Sequence, residues 1–309
     1  MSEIAAIICT HNRDKYLGAA IDSLLQQDGV NYEIIVVDNA SNDRTREVVE
    51  SRLSNSHLKY VYEENLGLSI ARNRGAQETN APILAYLDDD AIASPQWLKT
   101  IVAAYQSNEK IAIAGGKVTL IFPEGIDCPN WISQEMAGCL GIYDLGDEIV
   151  DIDNSNLTPR GLNYSLRRSF LESIGGFDVN LGRVGTNLLS NEELYMTEKA
   201  IAQGWQVVYL PQAIAAHNVT PERLKADWFL KRSWWQGISE CYREQVANRT
   251  GIDQFRRGGE RLIRGLYKAL KYYSDPAVRF DNLVYAYGQI GYLSAVTQNL
   301  LGFSQWSKK

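Results

Sequence analysis

Three carboxylates in a row, Asp88-Asp89-Asp90, close the apolar run Ile83-Leu84-Ala85-Tyr86-Leu87. Like charges placed where a strand leaves a core repel one another unless a cation neutralises them, and hard carboxylate oxygens select Mg2+ or Mn2+. On an extended segment alternate side chains point the same way, so Asp88 and Asp90 can address one ligand while Asp89 points elsewhere. A lone Asp-x-Asp is more often a solvated turn or a helix cap, so its surroundings must decide between the readings. A second acidic pair, Glu192-Glu193, offers a general base for an attacking hydroxyl, and is equally what the positive end of a helix dipole favours. His217 is one of 3 histidines in the chain. Contact with a metal or a phosphate and a purely structural role are both open to it.

These side chains need a scaffold, and short β-branched runs supply one. Ile4 to Cys9, Glu33 to Val37, Leu58 to Tyr62 and Ile83 to Leu87 read as strands. Between them come helical stripes: Leu17, Ile21, Leu24 and Leu25; then Val48, Val49 and Leu53 behind a cap at Ser41 or Asn42; then Ser69 to Glu78; then a helix opened by Pro95. Strands apolar over their whole length with crossovers of this size predict a mostly parallel sheet with helices on both faces, binding ligands beyond the strands' carboxyl ends. Each of those ends runs into a polar segment: Thr10-His11-Asn12-Arg13, Asp38-Asn39-Ala40-Ser41, Asn65-Leu66-Gly67 and the acidic triple. Four polar clusters converge on one edge, which favours a ligand site there.

Beyond Gly115 the alternation gives way to a strand-like piece, Lys117 to Phe122, and a loop-rich stretch. A later strand, Gln206 to Leu210, is expected to end at Pro211. From Pro221 onward the pattern is helical. Residues 1–221 hold 16 basic and 29 acidic side chains, whereas 222–309 hold 15 basic and 8 acidic, so two regions with different partners are expected within a net charge of -6. An acidic surface of this kind excludes a generic nucleic-acid grip. Four scattered cysteines without CxxC spacing, and an N-terminal apolar run too short for a signal peptide, set the expectation of a cytoplasmic protein. Residues 282–307 carry no charge but contain Asn282, Gln289 and Gln298, which predicts a core or in-plane helix rather than a spanning one.

Taken together the motifs resemble the inverting glycosyltransferases of family 2, over roughly residues 3–235. The resemblance rests on Cys9-Thr10-His11-Asn12-Arg13, Val36-Val37-Asp38-Asn39-Ala40-Ser41, Asn65-x-Gly67 with Ala71-Arg72-Asn73, Leu87-Asp88-Asp89-Asp90, Gly161-x-Asn163-x-x-x-Arg167, Gly175-Gly176-Phe177-Asp178, Glu192-Glu193 and His217. It implies a GT-A fold, a Rossmann-like and mostly parallel α/β sheet flanked by helices, with a catalytic domain over 1–221 and a helical C-terminal extension over 222–309. Within that domain it assigns about 1–115 to the nucleotide and 116–221 to the acceptor. It implies a nucleotide-diphosphate sugar donor, UDP-linked, with Mn2+ or Mg2+ as cofactor and a saccharide or lipid-linked saccharide as acceptor in polysaccharide biosynthesis.

Carried over by position, the resemblance puts Thr10, His11, Asn12, Arg13, Asp38, Asn65, Gly67, Arg72, Asp88 and Asp89 around the nucleotide. The metal falls to Asp90, with Asp88 and His217, and the base to Glu193 or its neighbour Glu192. Asn163 and Arg167 fall on the donor-sugar or acceptor side unless they are structural. Trp131 is the candidate acceptor platform among tryptophans that otherwise suit core packing. Two departures stand out: Asn39 replaces a second Asp, and Glu193 replaces the Asp that usually ends the acidic pair. They leave a second reading open, a catalytically weak nucleotide-sugar-binding or scaffold protein. The cations of 222–309 interleaved with Trp, Leu and Tyr suit peripheral attachment to the inner face of the plasma membrane, and equally a helical appendage or dimer contact.

Overall fold

The structure is a computed structural model and describes residues 2–185, 187–246 and 251–301. Residues 247–250 and 302–309 of the basic extension lie outside the described residues. The elements run β1 Ile4–Thr10, α1 Asp14–Leu25, β2 Tyr32–Asn39, α2 Thr45–Glu50, β3 Leu58–Glu63, α3 Leu68–Gln77, β4 Ile83–Leu87, β5 Ala91–Ala93, α4 Trp97–Ser107 and β6 Ile111–Ile121. Next come α5 Gln134–Ala137, β7 Val150–Asp151, β8 Asn163–Arg167, α6 Arg168–Ser173, α7 Glu192–Ala202, β9 Gln206–Asn218, α8 Ala226–Val246, α9 Ile252–Lys271 and α10 Pro276–Leu300. The chain divides into two compact units.

The first unit, residues 1–121, 141–179 and 192–218, holds one mixed sheet in the order β3-β2-β1-β4-β8-β6-β9-β5, with β7 on β9. β3, β2, β1 and β4 are parallel neighbours, as their continuous apolar runs predict. β8 then enters antiparallel between β4 and β6. Ile4 to Ile8 of β1 and Ile34 to Val37 of β2 are fully buried, in one apolar cluster with Leu17, Ala20, Ile21 and Leu24 of α1. Fully burying each such aliphatic side chain contributes about 1.5–3 kcal/mol, so the polar loops at the sheet's edge hang from a rigid base.

Two expectations are corrected. The second helix starts at Thr45, not behind a cap at Ser41 or Asn42, and it stops before Leu53, which is exposed. Ser41 and Asn42 are engaged elsewhere: the Asn12 N–H donates to Ser41 Oγ at 3.0 Å, and the Asn42 N–H to Asn12 Oδ1 at 2.8 Å. Asp43 Oδ1 accepts the Thr45 N–H instead. The last strand does not end at Pro211 but runs through it to Asn218. Opposite Pro211 the β6–β9 ladder slips between Gly116 and Val118, the kind of irregularity where a strand tolerates a residue without an N–H. A Cβ on Gly116 would lie 1.7 Å from the Ala213 carbonyl oxygen, so only glycine permits the crossing. The extra length carries His217 opposite Ala91, the residue after the acidic triple.

The second unit, residues 122–140, 180–191 and 219–309, is built on α8, α9 and α10, with α10 packed on both of the others. Asp275 caps α10 by accepting the Val278 N–H, and Pro276 takes the first helical position. Ile238, Cys241, Tyr292, Ala295 and Val296 form the buried seam, while Glu244 of α8 accepts the Tyr292 hydroxyl at 2.7 Å and pairs with Arg257 of α9. Among the described residues no helix is long and apolar enough to cross a membrane.

Candidate active site

The polar strand ends meet within the first unit. Thr10, Asp38 and Asp90 are each 2% exposed at the rim of β1, β2 and β4. Arg13 at the entry to α1 brings its guanidinium to 3.8 Å from Asp90 Oδ2, and His217 Nε2 lies 3.2 Å from Asp90 Oδ1. Burial, and then the Asp90 carboxylate, push the Asp89 carboxyl up to about 7, against the pull of Arg13. Because this group holds its proton more tightly folded than unfolded, its ionisation costs stability from about pH 4 upward, fully so above pH 7. In EDTA, Asp89→Asn is therefore expected to raise Tm at pH 8, by about 2–4 °C per kcal/mol recovered, with the gain fading toward pH 4.5. A gain equal at both pH values would contradict this assignment.

Behind the rim sits the acidic pair. Glu192 and Glu193 open α7, as a helix start favours, and both converge on one cation. Arg72 Nη1 of α3 lies 3.2 Å from Glu192 Oε1 and 2.8 Å from Glu193 Oε1. Burial would discharge this guanidinium, but the Glu193, Glu192 and Asp88 carboxylates outweigh it and hold the pKa up. The cation is also stacked, 5.3 Å over the Phe177 ring and 6.0 Å over Tyr86. Asn73 fixes Phe177 by exchanging two hydrogen bonds with its backbone. Glu193 reaches Arg72 across Gly161, where a Cβ would lie 1.8 Å from Glu193 Oε1. The two clusters are neighbours: burial pushes the Cys9 thiol up to about 12, where it feels Arg72, Asp88 and Asp89 together.

The remaining sequence candidates divide between loop ties and framework. His11 Nδ1 contacts the Asn39 carbonyl at 2.7 Å, and its Nε2 contacts the Asn12 amide, which ties the β1 and β2 loops together. Asp38 accepts the Ser41 N–H on one oxygen and the Tyr60 hydroxyl, at 2.8 Å, on the other. Asn65 bonds to Glu63, and the Gly67 N–H donates to Asn39 Oδ1 at 2.7 Å. Asn163 is fully buried and accepts Trp97 Nε1–H while donating to the Lys117 and Ala213 carbonyls. Arg167 donates to the carbonyls of Ile111, Tyr105 and Asn108. Both hold the framework, and neither is brought to the acidic pair. Trp131 belongs to the second unit, edge-on to Phe229 and Phe280 in an aromatic cluster.

Sequence reasoning missed Tyr60, whose position against Asp38 depends on the β2–β3 register, and the role of Asn39. The Asn39 amide donates to the carbonyls of Glu63 and Asn65 while its oxygen accepts from Gly67. No carboxylate can do this. Asn39→Asp would turn a buried anion on two carbonyl oxygens and is expected to cost about 2–3 kcal/mol, read as a lowered urea midpoint. An unchanged midpoint would show that the amide's donors are dispensable.

Among the described residues no group of three or more His, Cys, Asp or Glu side chains is set as a metal cage. The Asp90 carboxylate and the His217 imidazole, 3.2 Å apart, nevertheless make a donor set that fits Mg2+ or Mn2+ of the kind held by one or two protein donors, with phosphate oxygens and water completing the shell.

Over residues 83–297 the sequence matches the family described as glycosyl transferase family group 2, and over residues 5–123 the one described as glycosyl transferase family 2. It is 27% identical over 252 residues to a glucosyl-dolichyl phosphate glucuronosyltransferase of Haloferax volcanii, across 77% of this chain and 76% of that protein. Its fold is similar to that of the mannosyltransferase PcManGT of Pyrobaculum calidifontis, solved with GDP-Man and Mn2+. The TM-score is 0.63 at 16% identity, covering 100% of this chain and 88% of that one. It is also similar to GalNAc-T7, solved with UDP, GalNAc and Mn2+, with a TM-score of 0.56 at 17% identity over 79% of this chain; it spans only 50% of that chain's length. At these identities the two structures speak for the fold alone. With the family matched over most of its length, on a sheet of this order, the chain belongs to the family 2 glycosyltransferases and has the GT-A fold.

Proposed function

We propose that the protein transfers a glycosyl unit from a UDP-sugar to a hydroxyl of a saccharide or lipid-linked saccharide, with inversion, in polysaccharide biosynthesis. That it is a nucleotide-sugar-dependent glycosyltransferase accords with its family. The finer reading rests on one observation: Arg72 is shared between Glu193, at 2.8 Å, and the field of Asp88 at the acidic rim. A base and a phosphate-handling edge therefore adjoin. In this reading residues 1–221 are catalytic, with the nucleotide over 1–115 and the acceptor over 116–221, and 222–309 is an extension. The lipid-linked glucose in the Haloferax enzyme's name supports the choice of acceptor.

Glu193 accepts the proton of the acceptor hydroxyl as its oxygen bonds to the anomeric carbon. The bond from that carbon to the diphosphate oxygen breaks on the opposite face, and UDP departs. Arg72 holds the Glu193 carboxylate toward the reacting centre. Arg13 faces the diphosphate beside Asp90, and Asp38 lies by the base. A divalent cation held by Asp90, with His217 and Asp88, would supply Lewis-acid neutralisation of the leaving diphosphate. The test is a thermal-shift panel of UDP, GDP, UDP-sugars and GDP-sugars with and without Mn2+. Ligand at a hundredfold excess over Kd stabilises by about 2.7 kcal/mol. UDP-sugars with Mn2+ are expected to give the largest rise; a larger rise with GDP-sugars, or none with any nucleotide, overturns the proposal.

A further inference from the structure

We propose, resting on the transferase reading, that Arg160 is a specificity residue that takes a carboxylate on the transferred sugar, so that the donor is a nucleoside diphosphate uronic acid. The segment before β8 is held from three directions. Thr158 Oγ1 shares a hydrogen bond with the Thr197 hydroxyl of α7 at 2.6 Å. Gly161 stands against the Glu193 carboxylate and Arg72 Nη2, and the Asp88 N–H donates to the Leu162 carbonyl at 3.3 Å. The Asn163 N–H closes the turn on the Arg160 carbonyl at 2.9 Å. Arg160 is thereby fixed beside the ground between the acidic rim and the base, which is where a sugar joining the diphosphate to the acceptor has to lie.

Its side chain lacks what the neighbouring cations have. Arg13 lies 3.8 Å from Asp90, and Arg72 is held by Glu192 and Glu193. Arg160 is partly buried, its Nε is closed off from solvent with no acceptor, and its guanidinium makes no ion pair among the described residues. Asp144 and Asp147, a short way along the chain from Tyr143, are already taken by Lys117 at 3.0 and 3.3 Å. What steadies the guanidinium is a ring: it lies 5.5 Å from the centroid of Tyr143, whose hydroxyl donates to the Leu157 carbonyl at 2.6 Å. A partly desolvated cation without a counter-charge is unfavourable until a ligand supplies one. A flat cation stacked by one face keeps its edge for a flat anion, and a carboxylate matches that fork with two parallel hydrogen bonds. The diphosphate has Arg13 beside Asp90, so the anion left for Arg160 is one borne by the sugar.

Titration calorimetry of the full chain with Mn2+ and three probes, UDP-glucuronic acid, UDP-glucose and UDP, tests this. The wild type is expected to bind UDP-glucuronic acid about tenfold or more tighter than UDP-glucose. Arg160→Gln is expected to bring those two within about threefold of each other, by weakening the uronate alone, while UDP and UDP-glucose keep their Kd within about threefold. Arg160→Lys, which keeps the charge without the fork, is expected to restore part of the preference. The wild-type comparison needs no variant, so it decides even if Arg160→Gln does not fold. A wild type that binds UDP-glucose as tightly as UDP-glucuronic acid overturns the proposal and leaves the transferase reading standing. Equal losses for all three probes in Arg160→Gln would put the guanidinium on the diphosphate, and an undiminished uronate preference would put it on neither; each overturns the proposal. Binding of none of the three overturns the UDP-sugar reading along with it.

Discussion

Replacing Glu193 by glutamine is expected to lower transfer by roughly 10²- to 10⁴-fold, the usual contribution of a positioned base, while affinity for the UDP-sugar stays within a few fold. The two acidic neighbours differ in reach. The Glu192 side chain is 4% exposed and that of Glu193 is 16% exposed, although both lean on the same guanidinium. An acceptor hydroxyl can approach the second and not the first. Gly161 leaves the gap that the Glu193 carboxylate occupies. Glu192→Gln removes one of the two anions on Arg72, and its effect is expected mainly in stability, with a smaller loss of rate. Single-turnover rates and donor Kd for both variants decide this. A severe loss with Glu192→Gln and a mild one with Glu193→Gln would move the base by one residue.

Arg72→Met is expected to be the most destabilising single change in the site, by about 3–5 kcal/mol, because it removes the buried cation with which both Glu192 and Glu193 pair. Arg72→Lys keeps the charge but not the flat cation between Phe177 and Tyr86, so it should retain most stability and lose turnover with little change in donor affinity. Urea midpoints, beside kcat and KM, separate the two roles. A methionine variant as stable as the wild type would show that the carboxylates are balanced by some other group.

The sequence is most legible where a local pattern meets a physical requirement. Apolar runs such as Ile83 to Leu87 bury on both faces, and the carboxylates after them have to sit at the edge, so the rim can be read before any fold is known. The reading fails where the deciding partner is distant. Pro211 looks like a strand end until the β6–β9 ladder is seen to slip just past Leu210, the partner of Gly116. Arg72 reads as a nucleotide contact, yet its partner Glu193 is 121 residues away. Asn39 looks like lost chemistry, but the carbonyls of Glu63 and Asn65 require an amide there. Asn163 and Arg167 carry polar side chains in a family motif, and nothing local reveals that their bonds all close within the fold.

Crystals soaked in UDP and MnCl2, measured at a wavelength where manganese scatters anomalously, test the centre of the account. The expected result is an anomalous peak within coordination distance of Asp90 that also touches the diphosphate, on the side of the sheet rim that Glu193 faces. A well-ordered UDP whose diphosphate lies away from Asp90 with no manganese peak beside it would contradict the account.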